Sequence, residues 1–203
     1  MNRIGVFGGT FNPVHMGHLI MAQDALELFE LNTVIFVPCA CPPHKVSNDV
    51  ASAGHRLAML QAALEGDLRF EVSDIEIRRG GVSYSIDTAR EIKALHPGAE
   101  IFFIIGSDSL PELRLWRDIR QLLDICRFVT IARPGTDLND PGLRDPMPGD
   151  DRSQSLRDQI RVGHLVNISS TDIRYRIAEG MSIRYLVHPA VEMYIAEHSL
   201  FRQ

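Results

Sequence analysis

The chain has 203 residues, 45% hydrophobic and 23% charged, enough apolar material for an α/β domain with a sizeable core. A net charge of −5, from 21 basic and 26 acidic residues, argues against a general nucleic-acid binder or a protein held on an anionic membrane. Cys39, Cys41 and Cys126 are too few for a disulfide framework. No apolar run approaches the length of a membrane span, and the N-terminus enters a strand with no signal-peptide pattern, so a protein of the reducing cytoplasm is expected.

The apolar run Ile4-Gly5-Val6-Phe7 predicts a buried strand, and the helical period from Leu19 through Phe29 predicts the helix after it. Between them lies Gly8-Gly9-Thr10-Phe11-Asn12-Pro13-Val14-His15-Met16-Gly17-His18, a strand-to-helix turn. Such a turn collects free backbone N–H groups and the positive end of a helix, a ready site for phosphate. Gly8 and Gly9 allow tight backbone angles and close ligand approach. His15 and His18, three apart in the first helical turn, share a face and can donate hydrogen bonds or, protonated, add charge. No Lys follows at P-loop spacing, and Gly5, Gly8 and Gly9 do not supply a dinucleotide fingerprint. Zinc ligation stays an alternative, although HxxH is one residue short of HExxH and lacks its Glu. Plain helix capping is another.

Thr33–Pro38 reads as a second buried strand, completing a right-handed βαβ unit. The loop at its carboxyl end, Cys39 to Lys45, is stiffened by Pro42-Pro43, and Lys45 could reach a phosphate or be an ordinary solvated lysine. A helix is expected over His55–Leu64 and a third strand over Phe70–Ser73, extended by alternating Ile75 and Ile77. Ser83 to Thr88 leads into a helix through Leu95, a second helix start that could meet an anion or be simply capped by Ser85 and Asp87. Glu100–Ile105 is the most apolar strand and is predicted to be central. Gly106 and Asp108 follow, suited to close approach and to accepting from ribose hydroxyls, while a helix cap is the plainer role for Asp108.

Leu110–Ile125 is expected to be helical, with Trp116 among arginines keeping a ring face open for stacking, or simply packing. Arg127–Ala132 predicts a fifth strand. Residues 134–151, with four prolines, three glycines and five aspartates, read as a mobile loop without a core of its own. A short helix over Ser153–Arg161 and a short strand over His164–Ile168 come next. Ser169-Ser170-Thr171-Asp172-Ile173-Arg174 then opens a helix ended by Gly180, a third anion-ready start. Pro189 begins the last helix, through Glu197. The expected fold is a Rossmann-like doubly wound parallel sheet of five to six strands, helices on both faces, as one domain over 1–203.

Five stretches together resemble the bacterial nicotinate-nucleotide adenylyltransferases of the HxGH nucleotidyltransferase superfamily: Gly8 to His18, Pro42-Pro43-His44-Lys45, Ser83 to Thr88, Ile105-Gly106-Ser107-Asp108 with Trp116, and Ile168 to Arg174. HxGH alone marks the superfamily; the combination is more specific. Asn12 stands where the family usually has Asp, and Ser85 where Thr is commoner. The resemblance implies AMP transfer from ATP to nicotinate mononucleotide, giving deamido-NAD and pyrophosphate, with no nucleic-acid or membrane partner. It implies that His15, His18, Lys45 and Arg174 act on the phosphates, and that Gly8, Gly9, Thr10, Phe11, Ser169 and Ser170 hold ATP. Gly106 and Asp108 would border the adenosine. Tyr84, Ser85, Thr88 and Trp116 would meet the pyridine ring and its carboxylate, with Arg133 near substrate. Mg²⁺ would ride on the ATP phosphates rather than on protein ligands. Alternatives are another acceptor such as phosphopantetheine, or a nucleotide sensor without catalysis; a homo-oligomer is compatible with the sequence.

Overall fold

A computed structural model describes residues 2–41, 50–137 and 139–202. Six strands form one fully parallel sheet in the order β3-β2-β1-β4-β5-β6. They are β1 (Arg3–Gly9), β2 (Thr33–Pro38), β3 (Phe70–Val72), β4 (Glu100–Gly106), β5 (Arg127–Ile131) and β6 (Ile160–Arg161). The most apolar strand, β4, is central as expected, between β1 and β5. Strand order runs outward in both directions from the β1–β4 pair. The switch point therefore opens beyond Gly9 and Gly106, where the loops of an α/β sheet diverge and leave a crevice.

Strand side chains alternate between two cores. Ile4, Val6, Ile101 and Phe103 face one way, against Ile86, Ala89 and Ile92 of α4 (Ser85–Leu95) and Ile119 and Leu122 of α5 (Ile119–Ile125). Phe7, Val34, Phe36, Phe102 and Ile104 face the other way. They meet Ala22 and Ala25 of α1 (Met16–Leu28), Met59, Leu60 and Leu64 of α2 (Ala53–Leu64), Ile173 of α8 (Ser170–Ala178) and Val191 and Ile195 of α9 (Pro189–Glu197). The doubly wound architecture follows from this two-faced burial.

Three local expectations change. Ile75 and Ile77 do not extend the third strand but lie in a short helix, α3 (Ile75–Arg79). Two isoleucines two apart fit a strand by period, but a single helical turn also buries Ile75, and the following Gly80 with φ 70° ends it. The region 110–125 is not one helix: a 3₁₀ segment, Ser107–Leu115, contains Pro111 and ends at Trp116 before α5 begins. His164–Ile168 forms no strand; the sixth strand is Ile160–Arg161, directly after the helix α7 (Ser153–Asp158). The 164–168 stretch is instead pinned by the buried carboxylate of Asp24 on α1, which accepts from the His164 N–H at 2.7 Å and pairs with its Nδ1 at 2.6 Å. The proline-rich 134–151 stretch holds a short helix, α6 (Pro141–Arg144), and lends Leu143 and Met147 to the main core.

Candidate active site

β1 runs to Gly9, paired with Pro38 of β2, and the turn proper spans Thr10 to His15. Gly8 and Gly9 are not needed for special backbone angles, since neither has a positive φ. Gly9 is needed for space: a Cβ there would lie 2.9 Å from the ring of Phe11. Phe11 itself has φ 49° and a fully buried ring, edge-on to Phe7 and to His18. Only its backbone can meet a ligand. Its side chain belongs to the core.

The carbonyls of this turn are claimed from several directions. Arg56 Nη1 donates to Thr10 O at 2.9 Å, Arg174 Nη1 to Asn12 O at 3.0 Å, and Ser170 Oγ to Pro13 O at 2.9 Å. Two of these clamps come from the start of α8, so the Ser-Ser-Thr segment docks directly on the histidine turn. Gly17 leaves room for the His15 ring: a Cβ there would lie 3.1 Å from His15 Cε1 and Nδ1. Ser169 caps α8 by accepting from the Asp172 N–H at 3.1 Å. The hydroxyls of Ser169 and Ser170 are thus both engaged locally, and the helix start offers its first backbone N–H groups.

His15 is the N-cap of α1, and its ring stacks on His18 with centroids 3.6 Å apart. His18 Nδ1 accepts from the His15 N–H at 3.3 Å, which assigns the ring proton of neutral His18 to Nε2 and leaves that N–H as its donor. His15 Nδ1 is buried with no partner among the described residues. Burial, then the charge of Arg133, pushes the His15 pKa down to about 4; burial, His15 and Arg133 push His18 well below the ordinary value. Both imidazoles are neutral donors at pH 7 in the free protein, not cations.

A stability consequence follows. Between about pH 6.5 and 4 the unfolded chain binds a proton at His15 that the folded chain refuses, so stability falls as pH drops through that window, by about 3 kcal/mol in all. His18 adds in the same direction. The urea midpoint of the free protein is expected to fall from pH 6.5 to 4.5, and His15→Gln to flatten that dependence. An equal slope in the variant would refute it.

The far wall of the crevice comes from the ends of β4 and β5. Gly106 has a positional reason: a Cβ there would crowd Asp108 Oδ1 and sit 3.1 Å from Arg133 Cδ. Arg133 Nη1 donates to Asp108 Oδ2 at 2.9 Å. Both groups are about half exposed, so the pair contributes at most about 1 kcal/mol and mainly sets loop positions. Buried Ser107 accepts from the Arg133 N–H at 3.0 Å and bonds Thr136 at 2.6 Å. These residues line a cleft of about 600 Å³, closed by Asp137, Asp140 and Leu143 on one side and Val166 to Ser169 on the other.

The Ser83–Thr88 stretch, which follows α3, docks on the residues that leave β2. Ser83 Oγ accepts from the Ala40 N–H, and the Ser83 N–H donates to Cys41 O. Tyr84 caps α4 and is half-buried under the Arg117 guanidinium, 4.5 Å from its ring. Ser85 opens α4 beside it. Trp116 packs edge-on against Phe103 and Phe128 and keeps part of its ring open. Thr88 is different. It is fully buried, its hydroxyl bonded to Glu76 and Arg79, so its side chain holds α4 against α3 and does not reach a ligand. Lys45, with Pro42, Pro43 and His44, lies outside the described residues.

Asn12 is buried and its Oδ1 accepts from the Ala51 N–H at 2.9 Å. A carboxylate oxygen can accept the same bond. Asn12→Asp is expected to keep kcat within about threefold, read by steady-state kinetics, because it preserves this acceptor. A loss beyond tenfold would show that charge at this position matters.

Reading the residue types alone missed Arg56, whose buried place on α2 is occupied elsewhere on that face by Met59, Leu60 and Leu64. An arginine in register with an apolar stripe was the available signal. The Asp24–His164 pin had none, being 140 residues apart in sequence.

A doubly wound sheet with a histidine pair, a docked serine-rich helix start and a cleft at the switch point defines a nucleotide-handling transferase. The sequence matches the cytidylyltransferase-like family over residues 6–176. A protein of Opitutus terrae named "probable nicotinate-nucleotide adenylyltransferase" is 46% identical over 98% of both chains. A protein of the same name from Shouchella clausii is 45% identical, covering 99% of this chain and 97% of its own. Among solved structures, Plasmodium falciparum nicotinic acid mononucleotide adenylyltransferase complexed with NaAD superimposes with a TM-score of 0.76 over 99% of this chain and 98% of that one, at 19% identity, which speaks for the fold. The chain belongs to the nicotinate-nucleotide adenylyltransferases of the cytidylyltransferase-like family.

Proposed function

We propose that this chain transfers AMP from ATP to nicotinate mononucleotide. A 5′-phosphate oxygen of the mononucleotide attacks the α-phosphorus in line, the bond to the bridging oxygen breaks, and pyrophosphate leaves. The observation that supports it most is the docking of the α8 start on the histidine turn through Ser170 and Arg174, beside the cleft lined by Asp108 and Arg133. His18 Nε2–H, the Phe11 and α8 amides and Arg174 supply donors for phosphate oxygens, so the protein works by positioning and charge stabilisation. No protein nucleophile is required. Trp116 would stack on the pyridine ring, and the α4 start at Ser85 would meet its carboxylate.

A magnesium ion carried by ATP fits these residues. Among the described residues no group of three or more His, Cys, Asp and Glu side chains gathers to hold an ion, and Asp108 is engaged by Arg133. The ion would keep phosphate and water ligands and neutralise phosphate charge. No helix among the described residues is long and apolar enough to cross a membrane, and a cytoplasmic location accords with free thiols at Cys39, Cys41 and Cys126. Purified protein mixed with ATP, nicotinate mononucleotide and Mg²⁺ is expected to release pyrophosphate and the dinucleotide in equal amounts. Absence of both refutes the reading, and turnover only with phosphopantetheine replaces it.

A further inference from the structure

Arg56 is the largest fully buried side chain in the protein, 1% exposed, and it lies on α2, away from any surface. Its guanidinium makes a fan of contacts: Nε to Ala51 O at 3.0 Å, Nη1 to Thr10 O at 2.9 Å and to Cys39 Sγ at 3.8 Å, and Nη2 to Ala40 O at 3.1 Å. All four partners are neutral; burial pushes the Cys39 thiol up, so it too carries no charge at pH 7. No carboxylate among the described residues pairs with it. Burying a charge against dipoles alone costs several kcal/mol, and a well-packed apolar side chain would avoid that cost.

We propose that Arg56 is a positioning residue for the phosphates of the nucleotide, acting through the Thr10–Phe11 peptide and through its buried charge; this rests on the reaction proposed above. The Thr10–Phe11 peptide is trans, so its C=O and N–H point in opposite directions. Arg56 holding Thr10 O from the core side fixes the Phe11 N–H on the other side. Phe11 sits at φ 49°, a left-handed conformation that a non-glycine residue adopts at a cost. The guanidinium also polarises that peptide, making the Phe11 N–H a better donor. The same side chain ties Ala40 and Ala51, which flank residues 42–49 and hence Lys45, to the turn. A triphosphate bound on the turn brings negative charge toward a guanidinium that no carboxylate among the described residues pairs with.

The test uses the full chain with Arg56→Met, which keeps the volume, and Arg56→Lys, which keeps the charge but not the fan. Binding of inorganic pyrophosphate with Mg²⁺ is read by calorimetry, and kcat and KM are read for both substrates. Arg56→Met is expected to weaken pyrophosphate binding at least about tenfold and lower kcat/KM for ATP about 100-fold, with KM for the mononucleotide within about twofold. Arg56→Lys is expected to recover pyrophosphate binding to within about threefold of the wild type, yet to keep a lowered kcat, because three N–H groups on one nitrogen cannot reach carbonyls spread around Nε, Nη1 and Nη2. A purely structural role would move the melting temperature and leave these ratios alone. Wild-type kcat and pyrophosphate binding in Arg56→Met overturns the proposal; if that variant does not fold, wild-type kcat in Arg56→Lys does. A wild-type chain that binds pyrophosphate but makes no dinucleotide overturns the reaction and leaves the role of Arg56 in phosphate binding standing.

Discussion

His18→Ala is expected to lower kcat at least about 100-fold, the scale for removing one donor aimed at charge that grows in a transition state. The ring of His18 is held on three sides: stacked on His15, edge-on to Phe11, and fixed through Nδ1 by the His15 N–H. Its tautomer and orientation are therefore set before substrate arrives, and none of that cost falls on the reaction step. Its low pKa makes it a neutral donor in the free protein; phosphate charge bound nearby would raise that pKa, and the ring would gain positive character as the pyrophosphate leaving group forms. Alanine removes the N–H and leaves space at the turn. His18→Gln, which keeps an N–H donor, is expected to recover part of the rate. Circular dichroism and melting temperature check the fold of each variant. An unchanged kcat in His18→Ala would remove the imidazole from the mechanism.

Arg174→Ala is expected to lower kcat/KM for ATP by about 100-fold or more, with a loss of about 1–2 kcal/mol in stability. One side chain carries two duties here. Its Nη1 clamps α8 to the Asn12 carbonyl, its Nη2 lies 3.5 Å from Thr171 Oγ1, and its charge sits beside a turn whose histidines are neutral. With those histidines uncharged, positive charge near the turn is expected to come from arginines, of which Arg56 is buried beneath it and Arg133 is already paired with Asp108. Arg174→Lys keeps the charge but cannot donate in parallel to a carbonyl and a phosphate from one plane, so only partial recovery is expected. A lysine variant equal to the wild type would show that charge alone suffices, and an alanine variant within threefold would refute the role.

Much of this site was readable before the fold. Residues near one another in the chain act through local geometry, and the Gly8–His18 and Ser169–Arg174 stretches each carry their own turn and helix start. Thr88 misled for a related reason: a hydroxyl in a helix's first turn reads as a ligand group, yet helical rotation puts residue 88 on the buried face with Ile86, Ala89 and Ile92. The Ile75–Ile77 pair misled because two alternating positions are too few to separate a strand from one helical turn. His164–Ile168 has strand-forming residues, but the edge of β5 is taken by Ile160 and Arg161, and Asp24 holds His164 against α1 instead.

The parallel, doubly wound class is already written in the residue pattern, because near-continuous apolar strands alternating with amphipathic helices can be buried in few other ways. The same pattern singles out three helix starts as candidates to meet an anion. Folding alone brings two of them together through Ser170 and Pro13, 157 residues apart in sequence, shuts out enough water to hold the histidines neutral, and lays under the turn an arginine that pairs with no carboxylate among the described residues. Those facts depend on which surfaces exclude water and which dipoles face each other. Residue order alone does not encode either until the sheet has brought the distant segments together.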